Sequence, residues 1–461
     1  MRERADERPA SVERKNPVFA QQDKDSTRPV ARALTANHSR AVARALTANH
    51  SRAVAAGRAC AGCAMTVPSP GPSGPAIEKA RSGQGAGIEA AAMTEQSAAA
   101  AGAAAGEALA LRDQALAALD EGDLPAALAA AGRGLAVLEA AGLRGGLDEA
   151  ALLTAFAEIE EGAGRPRGAA AMITAVIAIL GDAAPDDDAD TLMLWCQAQE
   201  RLAGLERLAG DFGAAAARLH AVLDRAQAVF GEGSVAVVSA ANALGVVHKY
   251  AADFDAAEAA YRRAVAAAKA MPGRDPLIEA GLLHNLGGLA HSRGDAAAGI
   301  PLAERGARLR AKALGVAHPD VARDLNALGA LYHLAGRYGE ADHAYRRALG
   351  AFEGFYGPDH FEVAMTCANL AVLHADRGQF AAAEATGRRA LHLLEVLFGP
   401  GDAEVGLTLL NLAAAVAGQG RAGEAALLTV RAAAILAARL PADHPHVQAA
   451  ADALASRGRP S

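Results

Sequence analysis

Between His318 and Gly357 the apolar positions follow a helical rhythm twice over. Leu325, Leu328, Gly329 and Tyr332 recur at i, i+3, i+4 and i+7, on one side of a first helix. Ala341, Tyr345 and Ala348 recur at i, i+4 and i+7 on a second. Gly336 stops the first helix, because a residue without Cβ adopts the left-handed conformation of a helix end at little cost. Small residues at Gly329, Ala341 and Ala348 let the two axes approach, and Leu328, Tyr332, Tyr338 and Tyr345 are expected to fill the space between them.

The same pattern returns along the chain. Leu202, Leu244, Leu286, Leu328, Leu370 and Leu412 fall 42 residues apart, and Gly210, Gly294, Gly336, Gly378 and Gly420 mark the turn after each first helix but one. A fixed period of this length predicts an array, because a single helix pair cannot bury its own apolar face and must stack on its neighbours. The linkers GVAHPDVA, GPDHFEVA, GPGDAEVG and PADHPHVQ also lie one period apart. Glycine ends the second helix, Pro319 or Pro445 suits the first helical position, and Asp320 and Glu362 complement the dipole of the first turn.

The copy around Leu328-Gly329, Tyr332, Gly336-Arg337-Tyr338, Ala341 and Tyr345-Arg346-Arg347-Ala348-Leu349 resembles a tetratricopeptide repeat. With its 42-residue period and its His318-Pro319-Asp320-Val321-Ala322 linker, it resembles the kinesin light chain subtype. Gly378-Gln379-Phe380, Ala383-Glu384 and Arg388-Arg389-Ala390-Leu391 repeat the match. The resemblance implies an all-α fold, a right-handed superhelical solenoid of antiparallel helix pairs. It covers the repeats and not a motor role, since residues 1–95 lack the sustained heptads with which kinesin light chains join a motor chain. One copy departs from the pattern: Ala296 and Ala303 replace expected aromatics, so looser packing is expected there.

Four segments are expected: a tail without fixed fold over 1–95, two degenerate helix pairs over 96–185, six repeats over 190–440, and a capping helix with a tail over 441–461. Two degenerate turns, Gly122-Asp123-Leu124-Pro125 and Gly164-Arg165-Pro166, precede an acidic insertion at Asp186, Asp187 and Asp188. The first 64 residues hold 12 Lys and Arg against 6 Asp and Glu, so a mildly basic tail precedes an acidic array. That tail contains a tandem duplication, VARALTANHSRA at 30–41 and 42–53, and a Pro/Gly/Ser stretch from Pro68 to Pro75. A start placed too early would produce the same tail, with Met65 or Met93 as alternatives. Aromatics at 4% argue against a large β-rich core. With no apolar run long enough to span a membrane and no signal-like N-terminus, the expected compartment is cytoplasmic.

Catalytic and metal chemistry finds little footing. Cys60-Ala-Gly-Cys63 has redox spacing but no preceding strand, and Gly83, Gly85 and Gly87 do not form a phosphate cradle. His318, His360, His444 and His446 recur with the linker period, which favours a structural role in the loop over a metal site. Arg262-Arg263, Arg346-Arg347 and Arg388-Arg389 lie on second helices with acids nearby and read as solvated faces. No enzyme activity, cofactor, metal, nucleic acid, membrane or small-molecule substrate is expected.

A binding face can be argued. Asn326, Ala330 and His333 stand at i, i+4 and i+7 on a first helix, beside its packing stripe. Their counterparts are Asn242, Val246 and Lys249 in one copy and His284, Gly288 and His291 in another, with Asn285, Asn369 and Asn411 one position along. In tetratricopeptide domains these positions commonly line the peptide groove, which is what the resemblance implies here. A column of asparagines offers donors and acceptors to an extended peptide backbone, or it ties neighbouring helices together; both readings stay open. Arg201, Arg207, Arg323, Lys249, His291 and His333 add a positive strip, broken by Glu200 and Asp376, which points to an acidic or C-terminal carboxylate ligand. The Lys/Asn/Arg clamp of chaperone-binding relatives is not reproduced. The expected function is a non-catalytic protein- or peptide-binding adaptor or scaffold. The alternative is a sensor that controls a separate effector in trans: a protease, a nucleotide-binding switch or a transcription factor.

Overall fold

The computed structural model describes residues 81–181, 189–442 and 444–455. The tandem duplication, Cys60 and Cys63, the Pro/Gly/Ser stretch, Met65 and the acidic insertion lie outside the described residues. All elements among the described residues are α-helices. The chain falls into two compact units, which meet in sequence between Glu232 and Gly233 rather than at the acidic insertion.

The first unit holds α1 (Arg81–Asp120), α2 (Leu124–Ala140), α3 (Leu147–Gly162), α4 (Pro166–Leu180), α5 (Ala189–Ala209) and α6 (Phe212–Phe230). Consecutive helices pack as antiparallel pairs, α1 with α2, α3 with α4 and α5 with α6. Helix α1 starts at Arg81, inside the segment expected to lack a fixed fold, and includes Gly83, Gly85 and Gly87. The alanine-rich run from Ala98 to Ala105 has the strongest intrinsic helix propensity, and a helix once nucleated extends N-terminally one hydrogen bond at a time.

The second unit continues with α7 (Val235–Tyr250), α8 (Phe254–Ala270), α9 (Pro276–Ser292), α10 (Ala296–Leu314), α11 (Pro319–Leu334), α12 (Tyr338–Tyr356), α13 (Phe361–Asp376), α14 (Phe380–Phe398), α15 (Ala403–Gly418), α16 (Ala422–Arg439) and α17 (Pro445–Ala455). Each odd-numbered helix from α7 to α15 opens a pair, and α17 covers the end of the last. The turn inside each pair needs one left-handed residue. Gly210, Gly294, Gly336, Gly378 and Gly420 supply it with φ between 71° and 86°, and Ala252 fills the same place at φ 61°.

Inside a pair, an aromatic ring lies where a glycine has no side chain. A Cβ on Gly245 would sit 2.5 Å from the Tyr261 ring, and one on Gly329 would sit 2.7 Å from Tyr345. Tyr345 is fully buried. Burial pushes its phenol far above the usual range, so the group is neutral. Tyr338, expected in this core, is 37% exposed instead, because the first position of α12 leaves it at the end of the helix against the edge of His333.

The pair lacking aromatics is not loose. With Ala303 in place of a tyrosine, α9 and α10 close on each other: a Cβ on Gly306 would lie 3.2 Å from the Ala280 carbonyl, and one on Gly299 would meet Ala290 at 3.0 Å and Leu331 at 2.6 Å. Small residues on both helices exchange ring volume for direct backbone approach, and Leu331 from α11 fills the remainder. The expectation of slack packing is therefore corrected.

Candidate functional site

The histidines of the linkers are helix caps. Nδ1 of His318 accepts from the Asp320 amide, Nδ1 of His360 from the Glu362 amide and Nδ1 of His444 from the His446 amide, each at 3.2 Å. Asp402, one period after His360, does the same for Glu404 at 2.9 Å. Each satisfies one of the amides left open at a helix start. His360 also stacks on Tyr356 with ring centroids 3.9 Å apart. Burial, opposed by Glu362 and helped by Arg323, lowers its pKa below the ordinary imidazole value, which keeps Nδ1 an acceptor.

In the second unit the opening helices of neighbouring pairs touch one another, α7 with α9, α9 with α11, α11 with α13 and α13 with α15. The closing helices meet through long ion pairs instead: Arg389 to Glu353 at 2.6 Å, Arg388 to Glu424 at 2.6 Å and Arg431 to Glu395 at 2.5 Å. The first helices thus form one continuous wall, and Asn242, Lys249, His284, Asn285, His291, Asn326, His333, Asn369 and Asn411 all lie on it.

Four of the asparagines meet in pairs across neighbouring helices. Asn285 Nδ2 donates to Asn242 Oδ1 at 2.7 Å, and Asn369 Nδ2 donates to Asn326 Oδ1 at 3.2 Å. All four are half-buried, as is Asn411. Each pair uses one donor from one amide and one acceptor from the other. The Nδ2 groups of Asn242 and Asn326 and the Oδ1 atoms of Asn285 and Asn369 therefore keep hydrogen-bonding capacity beyond these two bonds. Gly288 and Ala330 beside them add no bulk, and the Lys249 ammonium lies over Gly288, 3.4 Å from where a Cβ would be.

Several members of the positive strip are paired with carboxylates in place. His284 Nδ1 lies 2.8 Å from Asp324 Oδ1, which also takes a hydrogen bond from Arg310 of α10; Asp324 is 2% exposed. His333 Nε2 lies 2.9 Å from Asp376 Oδ2. Arg323 is held by Glu362 at 2.8 Å, by Asp320 and by the Tyr356 hydroxyl at 2.9 Å. In the first unit, Arg201 of α5 reaches Glu161 at 2.9 Å and Glu158 at 3.1 Å on α3, and Arg207 is buried. Most of these carboxylates come from the neighbouring pair, about one period away, and Asp376 is the acid already seen to break the strip. No group of three or more His, Cys, Asp or Glu residues among the described residues is placed to hold a metal ion. Cys196 and Cys367 are buried in helices, and burial, with Glu200 nearby, pushes the Cys196 thiol up to about 12.

Residues 196–270, 279–354 and 363–404 match the tetratricopeptide repeat family. These segments are tetratricopeptide repeats. Among solved structures it is similar to BtubC (BKLC) from P. vanneervenii, at 25% identity over 48% of this chain and 90% of that one with a TM-score of 0.44. It is also similar to the apo quorum sensor NprR from B. thuringiensis, at 9% identity over 71% and 87% with a TM-score of 0.49. The signal transduction ATPase with a tetratricopeptide repeat sensor from Pyrococcus horikoshii matches at 14% identity over 72% and 46%, with a TM-score of 0.50, a likeness of fold. No curated protein matches the sequence. No helix among the described residues is long and apolar enough to cross a membrane.

Proposed function

We propose that the unit from Gly233 onward binds an extended peptide along the wall of first helices, and that the protein acts as a non-catalytic adaptor through that face. The observation that supports this reading is the repeated asparagine pair, Asn242 with Asn285 and Asn326 with Asn369, half-buried on the first helices and each keeping amide donor and carbonyl acceptor capacity beyond its own bond. A peptide backbone offers the complementary groups whatever its side chains are. Because His284, His333 and Arg323 already have carboxylate partners, backbone hydrogen bonds carry recognition at these positions, and Lys249 and His291 are the other basic residues of the strip in this unit.

Titrating the full chain and an Asn326→Ala/Asn369→Ala variant with a library of extended peptides tests the proposal. Two lost hydrogen bonds of about 1 kcal/mol each weaken binding by at least about tenfold. Equal affinity of the parent and the variant removes the proposal.

A further inference from the structure

The ion pairs between closing helices follow a 36-residue rule that breaks at Arg305, which has Lys269 at that spacing and pairs with Glu279 of α9 instead, and at Arg347. Arg389 of α14 reaches back to Glu353 of α12, and Arg431 of α16 reaches back to Glu395 of α14, in both cases to a glutamate 36 residues earlier. Arg347 of α12 is the same arginine one period before, and the residue 36 positions earlier on α10 is Ala311. Its guanidinium has no hydrogen-bond or ion-pair partner among the described residues, and neither has the His343 imidazole one turn away. The other charges at this spot are matched: Glu340 by Arg337, Arg346 by Asp342, and Glu304 by Arg308 and the Tyr332 hydroxyl.

Beside Arg347 lies a cleft of about 280 Å³. It is lined by Leu325, Leu328, Ala344, Gly339 and Tyr332, with the exposed His343 and Arg347 on one side and Glu340, whose carboxylate is held by Arg337, also at its edge. The cleft occupies a different face of α11 from Asn326 and His333. An apolar hollow of this size admits one aromatic or branched aliphatic group, and an unpaired guanidinium in a rigid fork pairs with a carboxylate in two-point geometry.

We infer that this cleft between α11 and α12 is a second binding site, for a small apolar group bearing a carboxylate, with Arg347 as the anion partner. The source of that chemistry is either the C-terminal residue of a partner chain or a free organic acid.

The test uses the full chain labelled at leucine methyl groups, titrated with N-acetylphenylalanine, its C-terminal amide and hexanoate. The carboxylates shift the Leu325 and Leu328 methyl signals, and the amide binds at least tenfold more weakly. Tighter binding of N-acetylphenylalanine assigns a chain terminus, and tighter binding of hexanoate a free acid. Arg347→Gln reduces carboxylate affinity at least tenfold. Ala311→Glu does the same without lowering the melting temperature, because it restores the pair seen at Glu353–Arg389. Asn326→Ala/Asn369→Ala leaves this binding unchanged, which separates the two sites. No methyl shift at millimolar ligand, equal binding of acid and amide, or unchanged binding by Arg347→Gln overturns the inference.

Discussion

The contact between Gly329 and Tyr345 allows a prediction whose sign depends on a second residue. In Gly329→Ala the new methyl would stand 2.7 Å from two ring atoms of Tyr345 and 3.1 Å from a third. The ring is fully buried and has no free side to yield toward. Overpacking of this kind costs about 1–3 kcal/mol, while replacing an interior helical glycine by alanine returns about 0.5–1 kcal/mol. The net expectation is destabilisation by roughly 1–2 kcal/mol, a fall in Tm of about 3–6 °C for a unit of this size. Tyr345→Ala alone costs about 3–5 kcal/mol for the lost ring. In the Tyr345→Ala background the clash is gone, so Gly329→Ala should stabilise by about 0.5–1 kcal/mol. Urea unfolding of the four proteins, followed by far-UV circular dichroism, gives the coupling directly. The reasoning fails if Gly329→Ala destabilises by the same amount in both backgrounds.

Other expectations follow from single sites. Ala252 holds the left-handed turn that glycine fills in the other repeats, so Ala252→Gly should raise stability by about 1 kcal/mol in the same unfolding assay. Hydrogen bonds from Gln419, Arg388 and Arg421 hold the Glu384 carboxyl at about 2. Its contribution is present above the unfolded carboxylate value and is lost as pH falls toward about 2. Glu384→Gln should therefore flatten the acid limb of a stability-against-pH profile. The lowered pKa of His360 has the same sign: its contribution is complete above the ordinary imidazole value and falls away as the solution becomes more acidic. His360→Asn keeps a capping side chain and should remove that slope near neutral pH. Native-state hydrogen exchange should find residues 286–310 as protected as 328–350, since α9 and α10 make direct backbone approach; faster exchange in the first segment would contradict the close packing.

The helix pairs were legible because period, glycine stops and proline starts all agree on the same boundaries. The partners across neighbouring pairs were less legible. Asn326 and Asn369, one position out of register, read either as a peptide-binding face or as a tie between helices, and they are the two halves of one hydrogen bond, 43 residues apart. The same kind of near-period offset brings Asp376 to His333 and Glu362 to Arg323, which is why part of a strip that looked positive residue by residue is paired in space. Ala303 was misread for a different reason: a missing aromatic leaves a gap only if the helices keep their distance, and Gly299 and Gly306 let them close it. The break at Ala311 was visible in principle, once the 36-residue spacing of Glu353 to Arg389 is known.

The claim that the wall of first helices receives a peptide is tested most directly by a hydrogen-exchange footprint of the full chain with and without a bound library peptide. Slowed exchange concentrated on α7, α9, α11, α13 and α15, with α8, α10, α12, α14 and α16 unchanged, is the predicted result. A footprint on the closing helices alone would contradict it.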